Sequence, residues 1–488
     1  MNINWHGDSD PFLQSGTPRS PLLPAACVFQ RHTDTRWRLR YRRDQPKPTG
    51  FGAPTMPRSV VQGAHGIHRP AITALHAPKD RPLESAESDR TEESSASRRR
   101  PRLPRAIWAL GLVSLLMDVS SELIHSLLPM FMMTALHANA LTIGLVDGIG
   151  EATALVVKVF SGPLSDRWGK RKPLALLGYG LGAASKPLFA LASSSGLVLG
   201  ARFIDRIGKG MRGAPRDALV ADLAPRGMRG AAFGLRQSLD TVGAFIGPAL
   251  GIVLMLVWAN DFRLAFWVAV VPALCSVLLL LFGVKEPERP PVARRINPIS
   301  REHLARLPRR YWWVVVVAGV FTLARFSEAF LILKARDGGL AVAWTPLVLI
   351  AMNVVYAVSA YPFGKLADRM PHERLLAWGL CALLLADLTL AYGASLPTIA
   401  IGIGLWGLHM GMTQGLLAAI VAEVAPADLR GTAFGLFNLV SGIAMLVASV
   451  VAGALWIDLS PAATFLVGAA LCVLTLAAIL LVPARFRR

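Results

Sequence analysis

Residues 162–172 read Gly162-Pro163-Leu164-Ser165-Asp166-Arg167-Trp168-Gly169-Lys170-Arg171-Lys172, a short polar hairpin between two apolar stretches. An altered copy, Gly364-Lys365-Leu366-Ala367-Asp368-Arg369, returns about 200 residues later in the same setting. The apolar runs on either side are long enough to span a bilayer, which takes about 20 residues. A charged hairpin repeated between such runs predicts a membrane protein built from two related halves.

Composition agrees with that reading. Of 488 residues, 53% are hydrophobic, and the mean hydropathy is +0.47 even with a polar first hundred residues included. Such a chain is polytopic rather than a soluble globule. Twelve spans are predicted from residue 106 onward, at 106–131, 141–162, 173–194, 197–223, 231–258 and 262–284, then 311–334, 343–366, 375–394, 397–424, 432–456 and 462–482. The predicted organisation is a disordered basic tail over 1–104, a six-helix bundle over 105–284, a linker over 285–310 and a second six-helix bundle over 311–488. The first hundred residues hold 16 Lys+Arg and 10 Asp+Glu, without periodicity. Composition of that kind favours disorder.

The net charge of +20 does not point to nucleic acid. The bases gather in alternate loops: Arg98–Arg100, the 166–172 hairpin, Arg226 and Arg229, the linker, 365–374, Arg430 and the terminal arginines. The intervening loops carry almost none, apart from Lys334 and Arg336. That is the positive-inside pattern, and it predicts cytoplasmic termini in a bacterial inner membrane. Cys27, Cys275, Cys381 and Cys472 have no metal or redox spacing, so neither metal nor cofactor is expected.

Residues 222–235 read DLAPRGMRGAAFGL and residues 423–436 read EVAPADLRGTAFGL, identical at eight of fourteen positions. Both copies follow the fourth span of their half, which is strong evidence of duplication.

The hairpin resembles the loop signature G-x-L-x-D-R-x-G-[KR]-[KR]-[KR] of the major facilitator superfamily, with every fixed position filled. The resemblance implies an all-α fold of twelve transmembrane helices in two pseudo-symmetric bundles, rocking around a midplane site. It also implies that spans 1, 4, 7 and 10 line the central cavity. Arg206-Ile207-Gly208-Lys209-Gly210 resembles the family's R-x-x-Q-G pattern, with Lys in place of Gln. Gly243, Gly247, Pro248 and Gly251 resemble its G-x-x-x-G-P-x-x-G-G pattern, with Ile252 in place of the last Gly, and that pattern is associated with export by antiport.

The fourth span is the most unusual segment. On a helical projection Arg202, Asp205, Arg206, Lys209 and Arg216 share one stripe, flanked by Arg212. A charge at the bilayer centre costs roughly 3 kcal/mol on insertion scales, so the stripe is expected to face protein or water rather than lipid. Two uses are open: binding an anionic substrate, or pairing with carboxylates to lock helices. Bases outnumber acids on this helix, which suggests positive charge left for substrate. Asp118 and Glu122 on span 1 are the expected proton carriers, opposite the stripe. Arg325 and Glu328 on span 7 are expected in the same cavity, for substrate or coupling, where they could also pair with each other. In the hairpin, Gly162, Asp166, Arg167, Gly169, Lys170 and Arg171, with Asp222 at the end of span 4, are the expected gate.

The expected function is alternating-access movement of a small organic molecule, anionic in character, by proton-coupled efflux. Uptake or exchange of an organic anion is the alternative, and a non-transporting receptor or scaffold is a further one. No nucleophile constellation or phosphate loop suggests an enzyme. The expected partners are the substrate, protons and the lipid bilayer, with no nucleic acid and a monomeric state.

Overall fold

The computed structural model describes residues 103–168, 170–225, 227–286, 304–367, 369–426 and 429–481, without the side chains of Asp166 and Arg167. The expectation of a disordered tail falls almost wholly outside these residues, as does most of the linker. The chain divides after Thr91, and every described residue belongs to the second unit.

The first half contains α1 (Arg105–Thr134), α2 (Ala140–Trp168), α3 (Lys172–Leu191), α4 (Ser195–Leu223), α5 (Arg229–Val257) and α6 (Phe262–Gly283). The second contains α7 (Arg309–Ala324), α8 (Ala329–Asp337), a 3₁₀ turn (Val342–Trp344), α9 (Leu347–Ala367), α10 (His372–Tyr392), α11 (Leu396–Val424), α12 (Arg430–Asp458) and α13 (Pro461–Leu481). No strand occurs among the described residues. Eleven segments are long and apolar enough to cross a membrane, counting Arg309–Asp337 as one. The twelfth, α4, is 29 residues long but carries too many charges to qualify by hydropathy.

One expectation needs correcting. The seventh span is not a continuous helix over 311–334: it breaks between α7 and α8, where Arg325 leaves the helical region at φ −114° and ψ 85°. Ser327 explains the break. Its hydroxyl accepts from the Ala329 amide at 3.1 Å, the local capping chemistry that competes with helix continuation. The same hydroxyl donates to Asp147 of α2.

Glycines set the helix packing, as small residues do where lipid supplies no hydrophobic drive between helices. A Cβ on Gly208 of α4 would lie 2.5 Å from the Gly178 carbonyl oxygen of α3, and one on Gly210 would lie 2.8 Å from the Ala154 carbonyl oxygen of α2. Thus α4 is wedged between α3 and α2. The second half repeats the device 201 residues on. Gly379 of α10 meets Thr413 of α11, and Gly411 meets Ser359 of α9. The duplication is therefore preserved in packing as well as in sequence.

The halves meet along α2 and α12, with a second contact between α5 and α9 and a third where α8 touches α1 and α2. Along the first seam, Gly144 and Gly148 of α2 face Ser449 of α12, while Gly442 and Gly453 of α12 face Ala152 and Leu141 of α2.

Candidate functional site

The charged residues of α4 lie in two tiers. In the tier far from the basic loops, Arg202 and Arg206 are 2% and 3% exposed. Gly150 of α2 makes room for them: a Cβ there would stand 3.0 Å from the Arg202 stem and 3.3 Å from that of Arg206. Arg202 donates to Asp147 and lies 3.9 Å from Glu151. Arg206 pairs with Glu151 at 3.0 Å. His125 of α1 bridges Glu122 at 3.4 Å and Asp147 at 3.8 Å. Asp205 turns the other way, into α3, and pairs with Lys186 at 2.7 Å. Ser121 accepts a further bond from Lys186 at 3.0 Å.

The tier nearer the basic loops is built on Arg212 and Arg216. Arg212 lies over the Tyr179 ring, 5.1 Å from its centroid, a cation–π contact worth about 0.5–2 kcal/mol. Arg216 donates to Ser114 at 3.0 Å and pairs with Asp217 at 3.1 Å. Arg236 of α5 pairs with Asp240 at 2.7 Å and reaches Asp217 at 3.5 Å.

The expected surplus of positive charge holds for α4 alone and not for its surroundings. Asp118, Glu122, Asp147, Glu151, Asp205, Asp217, Asp240 and Glu328 equal in number Lys186, Arg202, Arg206, Lys209, Arg212, Arg216, Arg236 and Arg325. Most are committed to pairs. A buried base left without a partner would cost several kcal/mol, so pairing is what the membrane interior enforces.

Five groups stand apart. Arg212 is buried with no ion pair among the described residues, and its Nη1 has no hydrogen-bond partner. Lys209 is exposed, and Arg325 sits half-buried in the span-7 break; neither has a carboxylate at ion-pair distance among the described residues. Asp118 and Glu328 likewise have no ion pair among the described residues. No ion pair joins Arg325, in the break, to Glu328, at the start of α8, among the described residues. Glu122 is hydrogen-bonded to His125 at 3.4 Å and makes no ion pair with a base of α4 among the described residues. Asp118 is held where α5 crosses α1, its Cβ 3.0 Å from the place of a Gly243 Cβ.

Gly243 and Gly247 bring α5 onto that acidic face of α1. A Cβ on Gly247 would meet the Val119 carbonyl oxygen at 2.7 Å and the Glu122 stem at 3.0 Å. Gly251 is looser, at 3.6 Å from Leu127, and Pro248 is buried inside α5.

In the hairpin, Arg171 pairs with Asp222 and donates to the Ala218 carbonyl at 2.8 Å. Glu286, just past α6, accepts from the backbone amides of Arg171 and Lys172. Lys170 is exposed, Gly162 lies on α2 facing Ala214 of α4, and Gly169 falls outside the described residues, as do the Asp166 and Arg167 side chains.

Sequence reasoning missed Lys186 as the partner of Asp205, Ser327 as the contact across the halves, and Tyr179 under Arg212. Ser327 had a signal: a serine between charged residues in mid-span. The others had none, since they lie on different helices from their partners. In the second half the stripe positions 201 residues on hold Ile403, Trp406, Gly407, Met410, Thr413 and Leu417, so the charge belongs to one half.

A family model described as the Major Facilitator Superfamily matches residues 110–350 and 329–488. An uncharacterized MFS-type transporter of Methanocaldococcus jannaschii is 33% identical, covering 76% of this chain and 94% of its own length. The multidrug resistance protein MdtH of Edwardsiella ictaluri is 25% identical, covering 62% of this chain and 74% of its own. Among solved structures, the nucleoside transporter NupG aligns with a TM-score of 0.61 at 14% identity, covering 77% of this chain and 98% of that one; the likeness is one of fold.

Proposed function

The chain belongs to the Major Facilitator Superfamily, and on that premise we propose that this transporter exports a small organic molecule bearing an anionic group by alternating access, in exchange for protons. The observation that carries the substrate class is the placing of Lys209 and Arg325. They come from opposite halves, are more accessible than the buried arginines of α4, and have no carboxylate at ion-pair distance among the described residues. With most neighbouring bases neutralised and Arg212 buried against Tyr179, these two are the accessible ones an incoming anion can satisfy, and it would bridge the halves in doing so.

Proton coupling rests on Asp118 and Glu328. A carboxylate tied to an arginine is held ionised through the cycle, whereas one without such a partner can lose and regain a proton as its surroundings change. Export as the direction draws on two supports: the Gly243, Gly247, Pro248, Gly251 pattern, and likeness to the multidrug resistance protein MdtH. The basic loops face the cytoplasm of a bacterial cell in this reading, with both termini on that side.

The test is a thermal-shift screen of the purified full chain against organic carboxylates and sulfonates, organic amines, and nucleosides. Anions should stabilise most, and Lys209→Gln and Arg325→Gln should remove that gain. Stabilisation by amines alone would overturn the anionic reading. The best compound is then followed in proteoliposomes, where movement indifferent to an imposed pH gradient would remove proton coupling.

A further inference from the structure

The helix pairs α3–α4 and α10–α11 are copies, and each carries a buried polar point at matching positions. Lys186 and Asp205 correspond, 201 residues on, to Asp387 and Trp406. The first pair is closed at 2.7 Å. The second is open. Asp387 and Trp406 are both 0% exposed, yet neither carboxylate oxygen of Asp387 nor the indole Nε1 of Trp406 has a hydrogen-bond partner.

Asp387 is turned toward α13 instead. Its Oδ2 lies 2.7 Å from the place of a Gly468 Cβ, and the Phe326 ring lies beside the same point. Phe326 also packs on Trp406, with ring centroids 5.3 Å apart. It precedes Ser327, the residue that holds the span-7 break to Asp147 across the halves. One aromatic ring therefore sits next to both open groups and is carried by the element that joins the halves.

No charge offsets Asp387. From α11 comes His409, whose Nδ1 is engaged with the Gly379 carbonyl at 2.8 Å. From α13 comes Cys472, and Cys381 lies on α10 itself. None bonds to Asp387 among the described residues. An isolated ionised carboxylate in such a place is far costlier than a neutral acid, and a buried donor left unsatisfied adds to the cost.

We propose that Asp387 takes up and releases a proton as the span-7 break moves, with Trp406 as its hydrogen-bond partner in the released state. On release, the carboxyl O–H bond breaks and the proton passes to water admitted by the displacement of Phe326. The carboxylate then accepts the Trp406 indole N–H, restoring in the second half the contact that Lys186 and Asp205 make in the first. The proposal rests on the proton-coupled reading above, and adds to it a site away from the central cavity.

The probe is dicyclohexylcarbodiimide, which modifies protonated carboxyl groups in apolar surroundings, applied to the full chain in membranes and read by peptide mass spectrometry. Asp387 should be labelled, more slowly as pH rises, and in Ser327→Ala, where the break is released, the labelling should fall several-fold at neutral pH and recover at low pH. Asp387→Asn should lose that adduct while keeping adducts elsewhere, and Ser327→Thr should behave as wild type. Absence of the adduct in both wild type and Ser327→Ala would overturn the proposal, as would a rate that neither pH nor Ser327→Ala changes. If labelling follows the expected pattern but vesicles show no gradient-driven movement, it is the proton-coupled reading that fails.

Discussion

Ser327, in the break of the seventh span, donates a hydrogen bond to Asp147 of α2, across the seam between the two halves. Asp147 also holds Arg202, so this bond ties the second half to the ionic network of the first. A hydrogen bond to a charged group contributes about 1.5–3 kcal/mol, on the order of tenfold to a hundredfold in the ratio of two conformations. Ser327→Ala should shift the population by that much toward separated halves, and Ser327→Thr should not. Distances between spin labels on the α3–α4 and α10–α11 connections would show it; an unchanged distribution in Ser327→Ala would deny the bond its role.

Lys186 and Asp205 are buried at 1% and 3% exposure and bonded at 2.7 Å. Removing one partner of a buried pair leaves an uncompensated charge and costs roughly 3–5 kcal/mol, whereas replacing both by apolar residues is often neutral. Lys186→Met alone should therefore lower the unfolding temperature sharply, and Lys186→Met with Asp205→Leu should recover most of it. Equal losses for the single and double variants would show that packing, not charge, sets the cost.

A Cβ on Gly144 would stand 2.3 Å from the Ser449 carbonyl oxygen on the other half. That neighbour is backbone and cannot swing aside. Gly144→Ala should push α2 and α12 apart and favour the conformation in which this seam is open, with little loss of secondary structure. Circular dichroism and the same inter-half distances would separate this outcome from plain unfolding.

Gly247→Ala is expected to act within one half. Its Cβ would meet the Val119 carbonyl oxygen at 2.7 Å and the Leu123 amide at 2.9 Å, prying α5 from α1 and displacing Asp118 and Glu122. Overpacking of this kind typically costs about 1–3 kcal/mol. Thermal unfolding of the purified variant should fall accordingly, and gradient-driven transport should fall further than stability alone explains.

Arg171 and Asp222 join the hairpin to the end of α4. If this contact forms and breaks during the cycle, Asp222→Asn should lower the turnover rate while leaving substrate affinity near wild type. A loss confined to affinity would place Asp222 in a static role.

Much of the fold was legible because the relevant signals are local. The runs around residues 162–172, the eight shared positions of the two fourteen-residue copies, and the loop charges each lie in a short window of chain. The site was legible only as a list. The stripe on α4 followed from helical period, and its avoidance of lipid from the cost of charge. That Glu122 pairs with His125, and that the positive surplus on α4 is largely cancelled, depended on which side chains the packing brought together. Ser327 shows the boundary: its capping chemistry is local, but its partner is 180 residues away.

The sequence by itself determined a duplicated chain that crosses the membrane and carries its charged stripe in one half, because length, apolarity and repetition are properties of the chain in a bilayer. The tertiary structure decided which charges are neutralised, where the seventh span breaks and why Asp387 lacks the partner that Lys186 has. Those outcomes turn on contacts of about 3–4 Å between helices, where Coulomb and hydrogen-bond energies change within an ångström. Glycines such as Gly150, Gly178 and Gly208 set those approaches, and only the packed helices reveal what they bring together.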